Sequence, residues 1–308
     1  MYAFEQMSAT PMRTAGEPHQ FKVQIPAAPA LPDRFPLAMA LAAILGIVFL
    51  AGCASPVRHH DGAELDRLVG LIAADPDVRA QRGMPALGNL IYALIFEAHG
   101  TTPKPAVISD EQLRSGLLAE PGSRVIEPWI YWFGAGGRND AKPLDIVRLY
   151  FNLMPDRAVP AMDRLTAELN HAHLKFTLKV ASSVVAMQRS SSAVLYVNRS
   201  DYRIARRAAA ATSEALPSSF ADSCVPLTKR ITLGVSAADE PDATFAPKTR
   251  PQHSFGTFVS DALAETLLAL PTNAPPASVI AAARQCLRAY GVDPDHLYLR
   301  RGHTTDDL

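Results

Sequence analysis

Four short runs in this chain alternate apolar and polar residues with a period of two, and that alternation commits much of it to a β-sheet with one apolar face. In 174–180, Phe176, Leu178 and Val180 fall on one side and Lys175, Thr177 and Lys179 on the other. In 193–198, Ala193, Leu195 and Val197 oppose Val194, Tyr196 and Asn198. In 146–154, Val147, Leu149, Phe151 and Leu153 oppose Arg148, Tyr150 and Asn152, and in 230–236, Ile231, Leu233 and Val235 oppose Arg230, Thr232 and Ser236. If all four pair in one sheet, the second face carries Arg148, Lys175, Lys179 and Arg230 and no carboxylate, which points to an anion as its ligand.

Between these runs the period changes to that of a helix. Residues 157–170 set Val159, Met162, Leu165 and Leu169 on one stripe, and residues 201–216, opened by Asp201 as an N-cap, set Ile204, Ala208, Ala211 and Ala215 on another. Such stripes cover the apolar side of a sheet. The expected fold class is α+β: a two-layer sandwich, a mixed β-sheet with helices on one face, preceded by a helical N-terminal segment. An aromatic strand over 127–133 contains both tryptophans, Trp129 and Trp132, and runs into Gly134-Ala135-Gly136-Gly137. No Gly-Lys-Ser/Thr follows, so the glycines read as a hairpin turn rather than a phosphate loop. Ser254 opens a helix with Phe255 and Gly256 in its first turn, and 277–290 form a last amphipathic helix ending at Gly291. The residues after His296 read as a loosely held tail.

Thirty basic and thirty acidic residues balance, so no net charge suggests nucleic acid as a partner. Cys53, Cys224 and Cys286 have no metal-ligand spacing, and no cofactor or metal is expected. A Cys224–Cys286 bridge is open in an oxidising compartment. Residues 1–35 are rich in Pro, Ala, Ser and Thr and read as disordered. The apolar run 36–50 ends in Leu50-Ala51-Gly52-Cys53, which resembles a bacterial lipoprotein signal with Cys53 as the lipidated residue. On this reading residues 1–52 are leader, 53–123 a tether and helical segment, and 124–308 the α+β domain. The membrane is then a partner through Cys53, and the address is the cell envelope, by analogy the outer membrane. Export into a host cell, with 1–35 as the signal, is the alternative.

The order LYFNLMPD, FTLKV, AVLYVN, PLTKRITLGVSAADEP and SFG, over about residues 147–268, resembles the HopA-type family of type III secretion effectors. That resemblance implies an α+β domain. From relatives encoded beside kinases in ribosomal-peptide biosynthesis it implies elimination of phosphate from phosphoserine or phosphothreonine, and from plant-pathogen members delivery into a host. The chain departs from the pattern at Ser191, where an acid is expected, and at Val259, where an arginine is expected. Phosphate elimination needs a base for the α-proton and cations for the phosphate. Lys179 is the candidate base, with Tyr196 a hydrogen-bond donor beside it. Arg148, Lys175, Arg189 and Arg230, with Ser254, Phe255 and Gly256 at a helix start, are the candidate anion ligands. The competing reading is a non-catalytic anion- or peptide-binding lipoprotein.

Overall fold

In the computed structural model the described residues are 61–97, 103–119, 123–126, 128–139, 145–240, 254–300 and 302–308. Cys53 and the apolar run before it, residues 1–35, and most of the loop 237–252 lie outside them. Among the described residues no helix is long and apolar enough to cross a membrane.

The four alternating runs do pair, within a single seven-stranded sheet. Its strands are β1 (Arg124–Ile126), β2 (Trp129–Phe133), β3 (Ile146–Phe151), β4 (Phe176–Ala181), β5 (Ala193–Asn198), β6 (Lys229–Thr232) and β7 (Val235–Asp239), in the order β1-β2-β4-β5-β3-β7-β6. The α+β class holds. Every pairing is antiparallel, where a mixed sheet is expected from sequence. Gly137, at φ +107°, does close a tight turn back onto Gly134. That turn does not join paired strands: β2 lies between β1 and β4, and β3 lies between β5 and β7.

The apolar face is fully dry. Phe176, Leu178, Val180, Leu195, Val197, Val147, Leu149 and Phe151 are all at 0 % exposure. Over it pack α4 (Asp110–Leu118), α5 (Ala158–His171) and α7 (Tyr202–Ala215), with α5 against α7. The stripe of α5 is close to that read from sequence, burying Met162, Leu165 and Leu169. That of α7 is rotated: Tyr202, Ala205, Ala209, Thr212 and Ser213 are buried, while Ile204 is exposed. Small residues allow close approach of this helix, and the Ser213 hydroxyl donates to the Leu233 carbonyl at 2.8 Å. Asp201 makes no side-chain cap; a 3₁₀ turn, Arg199–Asp201, leads into the helix instead.

Helices also close over part of the other face, which the sequence leaves open. Between α1 (Asp61–Ala74) and α3 (Met84–Tyr92) lies the short α2 (Pro76–Ala80), and a π-helical turn, Ala93–Glu97, follows α3. α3 packs against α8 (Phe255–Ala269), and α9 (Pro276–Ala289) packs against both α1 and α8. A Cβ on Gly256 would lie 2.8 Å from Tyr92 Cε2, so only glycine lets α8 sit this close to α3. Arg284 ties α9 to α1 through Asp66 at 2.7 Å. Beneath this layer Val194, Arg148, Tyr150, Ser236 and Ala238 are buried on the face that also holds Lys179.

The bridge left open by the sequence does not form: Cys224, in the segment before β6, and Cys286, on α9, are both free thiols, the Cys224 Sγ donating to the Thr232 and Val235 carbonyls. The C-terminal residues are held rather than loose. Leu308 is buried, its carbonyl accepts from Tyr202 Oη and Arg206 Nη1 at 3.2 Å each, and Lys229 donates to the Thr305 carbonyl.

Candidate functional site

Alternation along β4 puts Lys179 on the polar face, with Tyr131 of β2 and Val194 of β5 as its cross-strand partners. Two residues along β5, Tyr196 stands opposite Thr177 on one side and Arg148 of β3 on the other. The Tyr196 ring therefore lies between two cations: Arg148 Cζ is 5.1 Å from its centroid and Lys179 Nζ 5.7 Å. Lys179 Nζ also sits 4.5 Å from the Trp129 ring centroid, a cation–π contact on its second side.

Arg148 is not an open anion ligand. Its guanidinium forks onto Glu240, Nε to Oε2 and Nη2 to Oε1, with both side chains buried. Glu240 continues the alternation of β7 past Asp239, and its N–H donates to the Ile146 carbonyl at 3.1 Å. The polar face thus has a carboxylate, contrary to the expectation of a face of one sign. A bidentate buried pair of this kind is not easily exchanged for a ligand, because opening it strands a charge out of water.

Lys179 feels this arrangement directly. Burial, then the Arg148 charge, lower its pKa to about 8; Glu240 opposes and Arg189 adds to the lowering. A substantial fraction of the amine is then neutral near physiological pH, as a general base requires. Burial raises the Tyr196 pKa, so its hydroxyl keeps its proton and remains a donor. Burial raises the Tyr150 pKa as well, and its hydroxyl has no hydrogen-bond partner among the described residues. Tyr92, on α3, lies within the fields of Arg189, Glu97, Arg148 and Tyr196, and so faces the site from the helical layer.

Arg189 sits on the linker between β4 and β5, just after a one-turn helix, α6 (Val184–Met187). Its Nη2 is 3.0 Å from Glu97 Oε1 in the π-helical turn, and both side chains are about 40 % exposed (42 % and 39 %). The linker itself is fastened by residues 104–114. Lys104, only 5 % exposed, donates from its ammonium to the carbonyls of Met187 and Arg189, and its backbone N–H donates to Gln188 Oε1 at 2.8 Å. Asp110 accepts from the Val184 N–H at 2.7 Å, and Arg114 Nε donates to the Ser182 carbonyl at 3.0 Å. Burial lowers the Lys104 pKa to about 7.

The remaining candidates are placed differently. Lys175 is exposed, on the same face and two alternate positions before Lys179. Arg230 is on the edge strand β6, two strands beyond Arg148, where its Nη2 pairs with Asp222 at 2.9 Å, and it does not join the others. Ser254 caps its own helix: its Oγ accepts from the Thr257 N–H at 3.2 Å, while Thr257 Oγ1 accepts from the Ser254 N–H at 2.6 Å. Phe255 meets Phe96 edge-on at 6.4 Å, and Gly256 packs against Tyr92, so this turn adjoins the site through α3. Val259 is fully buried in α8, and Ser191 is half-buried just before β5. Cys53 lies outside the described residues. No group of three or more His, Cys, Asp or Glu that could hold a metal is found among the described residues.

Glu240, Trp129 and Tyr150 are partners the sequence reading missed, although alternation marks them, Trp129 and Tyr150 within strands and Glu240 one step past the end of β7. Tyr92, Glu97 and Lys104 come from the helical layer and its connector, and no local pattern marks them.

The HopA1 effector protein family model matches residues 124–299, over half of the chain. Two solved structures share the fold. An effector protein from Pseudomonas syringae pv. tomato strain DC3000 aligns at a TM-score of 0.57 and 15 % identity, covering 78 % of this chain and 96 % of its own. An effector protein from Pseudomonas syringae pv. syringae strain 61 aligns at 0.56 and 14 %, covering 79 % and 100 %. No curated protein matches. With a family match over all seven strands and helices α5 to α9, this chain belongs to the HopA1 effector protein family.

Proposed function

We propose that this chain is a host-directed effector whose polar sheet face takes a phosphorylated serine or threonine side chain and eliminates its phosphate. The observation that carries this reading is Lys179, half-buried between the Trp129 and Tyr196 rings with its pKa lowered to about 8. Family membership, and the two fold relatives being effector proteins, support the host-directed part.

In the proposed step neutral Lys179 takes the α-proton. The electron pair left behind forms the Cα–Cβ double bond as the Cβ–O bond breaks, and phosphate departs with that bond's electrons. Lys179 ends protonated and returns its proton to water. Arg189 is the group able to receive the phosphate. Its pair with Glu97 is solvent-exposed, and such pairs contribute only about 0–1 kcal/mol, so a phosphate displaces the carboxylate readily. Arg148 acts instead through its charge on Lys179 and its stacking on Tyr196. The Tyr196 hydroxyl, held protonated, donates to the departing oxygen.

A non-catalytic phosphopeptide binder is the second reading, favoured by Val259, which is buried in α8 where the family pattern has an arginine. Binding of a fluorescent phosphothreonine peptide tests what the two readings share. Lys179→Ala and Arg189→Ala should each weaken it about tenfold, the usual size of one charge-assisted contact. Arg230→Ala should leave it unchanged. Equal affinity in all three variants overturns the site.

A further inference from the structure

The half of the polar face formed by β1, β2 and β4 is not buried as the β5-β3-β7 half is. Trp129, Tyr131 and Phe133 stand on it at alternate positions of β2, each half-buried. Register places Arg124 of β1 and Lys179 of β4 on either side of Tyr131, and Thr177 beside Phe133. Arg124 and Arg138 each lie 5.8 Å from the Phe133 ring centroid. Lys175 is exposed just before β4 on the same face. Strands β1, β2 and β4 contain no acidic residue.

We propose that the strip of Trp129, Tyr131 and Phe133, with Arg124, Arg138 and Lys175 around it, docks the polypeptide that flanks the phosphorylated residue, and that the partner it fits is an extended acidic peptide. The inference rests on the phosphate reading of Lys179 and Arg189. Continuity supports it: the Trp129 ring touches the Lys179 ammonium, and Tyr131 is the cross-strand partner of Lys179, so the strip begins at the site itself. Spacing supports it as well. Alternate residues of a strand lie about 6.6–6.8 Å apart, the repeat at which an extended peptide presents side chains to one side. Cations without acids on the same strands select an acidic chain, and the rings supply flat apolar area beneath it.

The test uses the full chain and fluorescein-labelled phosphothreonine peptides of equal length, one flanked by Asp and Glu and one by Ser and Gly, with unphosphorylated copies of both. Fluorescence anisotropy at low salt should show the acidic phosphopeptide binding about tenfold tighter than the neutral one. Tyr131→Ala should weaken both phosphopeptides about fivefold, since the ring lies beneath either chain, and leave the acidic preference in place. The Arg124→Glu/Lys175→Glu double variant, both sites exposed and clear of the core, should abolish it. Competition by inorganic phosphate should stay at its wild-type strength in Tyr131→Ala, which changes no charge. Equal binding of the two phosphopeptides by wild type overturns the strip, and so does unchanged binding of both by Tyr131→Ala. If phosphorylation adds nothing to binding, the phosphate reading fails. A preference for the acidic flank that depends on Arg124 and Lys175, with affinity for both peptides lost in Tyr131→Ala, then supports the strip alone.

Discussion

Replacing Glu240 by glutamine changes almost no volume but removes the charge that neutralises Arg148. Arg148 is 2 % exposed and Glu240 4 %, so neither water nor a mobile surface group can take the place of the carboxylate. Removing one partner of a buried pair costs about 3–5 kcal/mol, because the other charge is left in a low dielectric. Glutamine keeps one carbonyl oxygen able to accept from the guanidinium, which places Glu240→Gln near the lower end, at about 3 kcal/mol. For a folded unit of this size, each kcal/mol moves the melting temperature by about 2–4 °C, so a fall of about 6–12 °C follows. The double variant Arg148→Met/Glu240→Leu replaces the pair by apolar side chains and should recover most of that loss. Urea unfolding followed by tryptophan fluorescence is the assay, since both tryptophans, Trp129 and Trp132, lie on β2. A cost under about 0.5 kcal/mol for Glu240→Gln, the range of an ordinary surface substitution, would mean that Arg148 does not depend on the buried carboxylate. A double variant less stable than either single one would mean the same.

Other outcomes follow from the same contacts. Gly256→Ala forces a methyl to within 2.8 Å of Tyr92 and should destabilise by about 1–3 kcal/mol in the same assay, with no loss marking α8 as free to shift. Lys104 has its pKa lowered by burial to about 7, so the unfolded chain holds more protons between that value and the ordinary lysine value. Wild-type stability should therefore rise relative to Lys104→Met as pH increases through 7 toward 10, and parallel curves would contradict the buried charge. Fatty-acid labelling of the full chain tests the Leu50–Cys53 motif: label lost in Cys53→Ala establishes an anchor, and an unlabelled wild type removes it.

The strands were legible because alternation is a local signal that burial reinforces at every second position. Lys179, Tyr196 and Arg148 share a face for that reason, and the same alternation carried one step past Asp239 would have added Glu240. Helix α7 was harder to read. Its many alanines give several equally apolar stripes, and contact with α5 and the sheet selected Ala205 and Ala209 over Ile204. Least visible was the cover on the polar face. Glu97 and Lys104 reach Arg189 across more than 80 residues of sequence, and a capped first turn at Ser254 looks the same whether it faces water, an anion or Tyr92. Such long-range juxtapositions depend on tertiary packing that no local window contains.

If Lys179 is the base that takes the α-proton of a phosphorylated side chain, phosphate loss must follow the titration of its amine. A phosphothreonine peptide is incubated with the full chain across the neutral to alkaline range, and mass spectrometry reads the dehydrated product. Only the neutral amine accepts the proton, so the rate should climb as pH passes through about 8 and level off above it, and should vanish in Lys179→Ala. A bound peptide that keeps its phosphate at every pH excludes Lys179 as the base, as does a Lys179→Ala variant that dehydrates it at the wild-type rate.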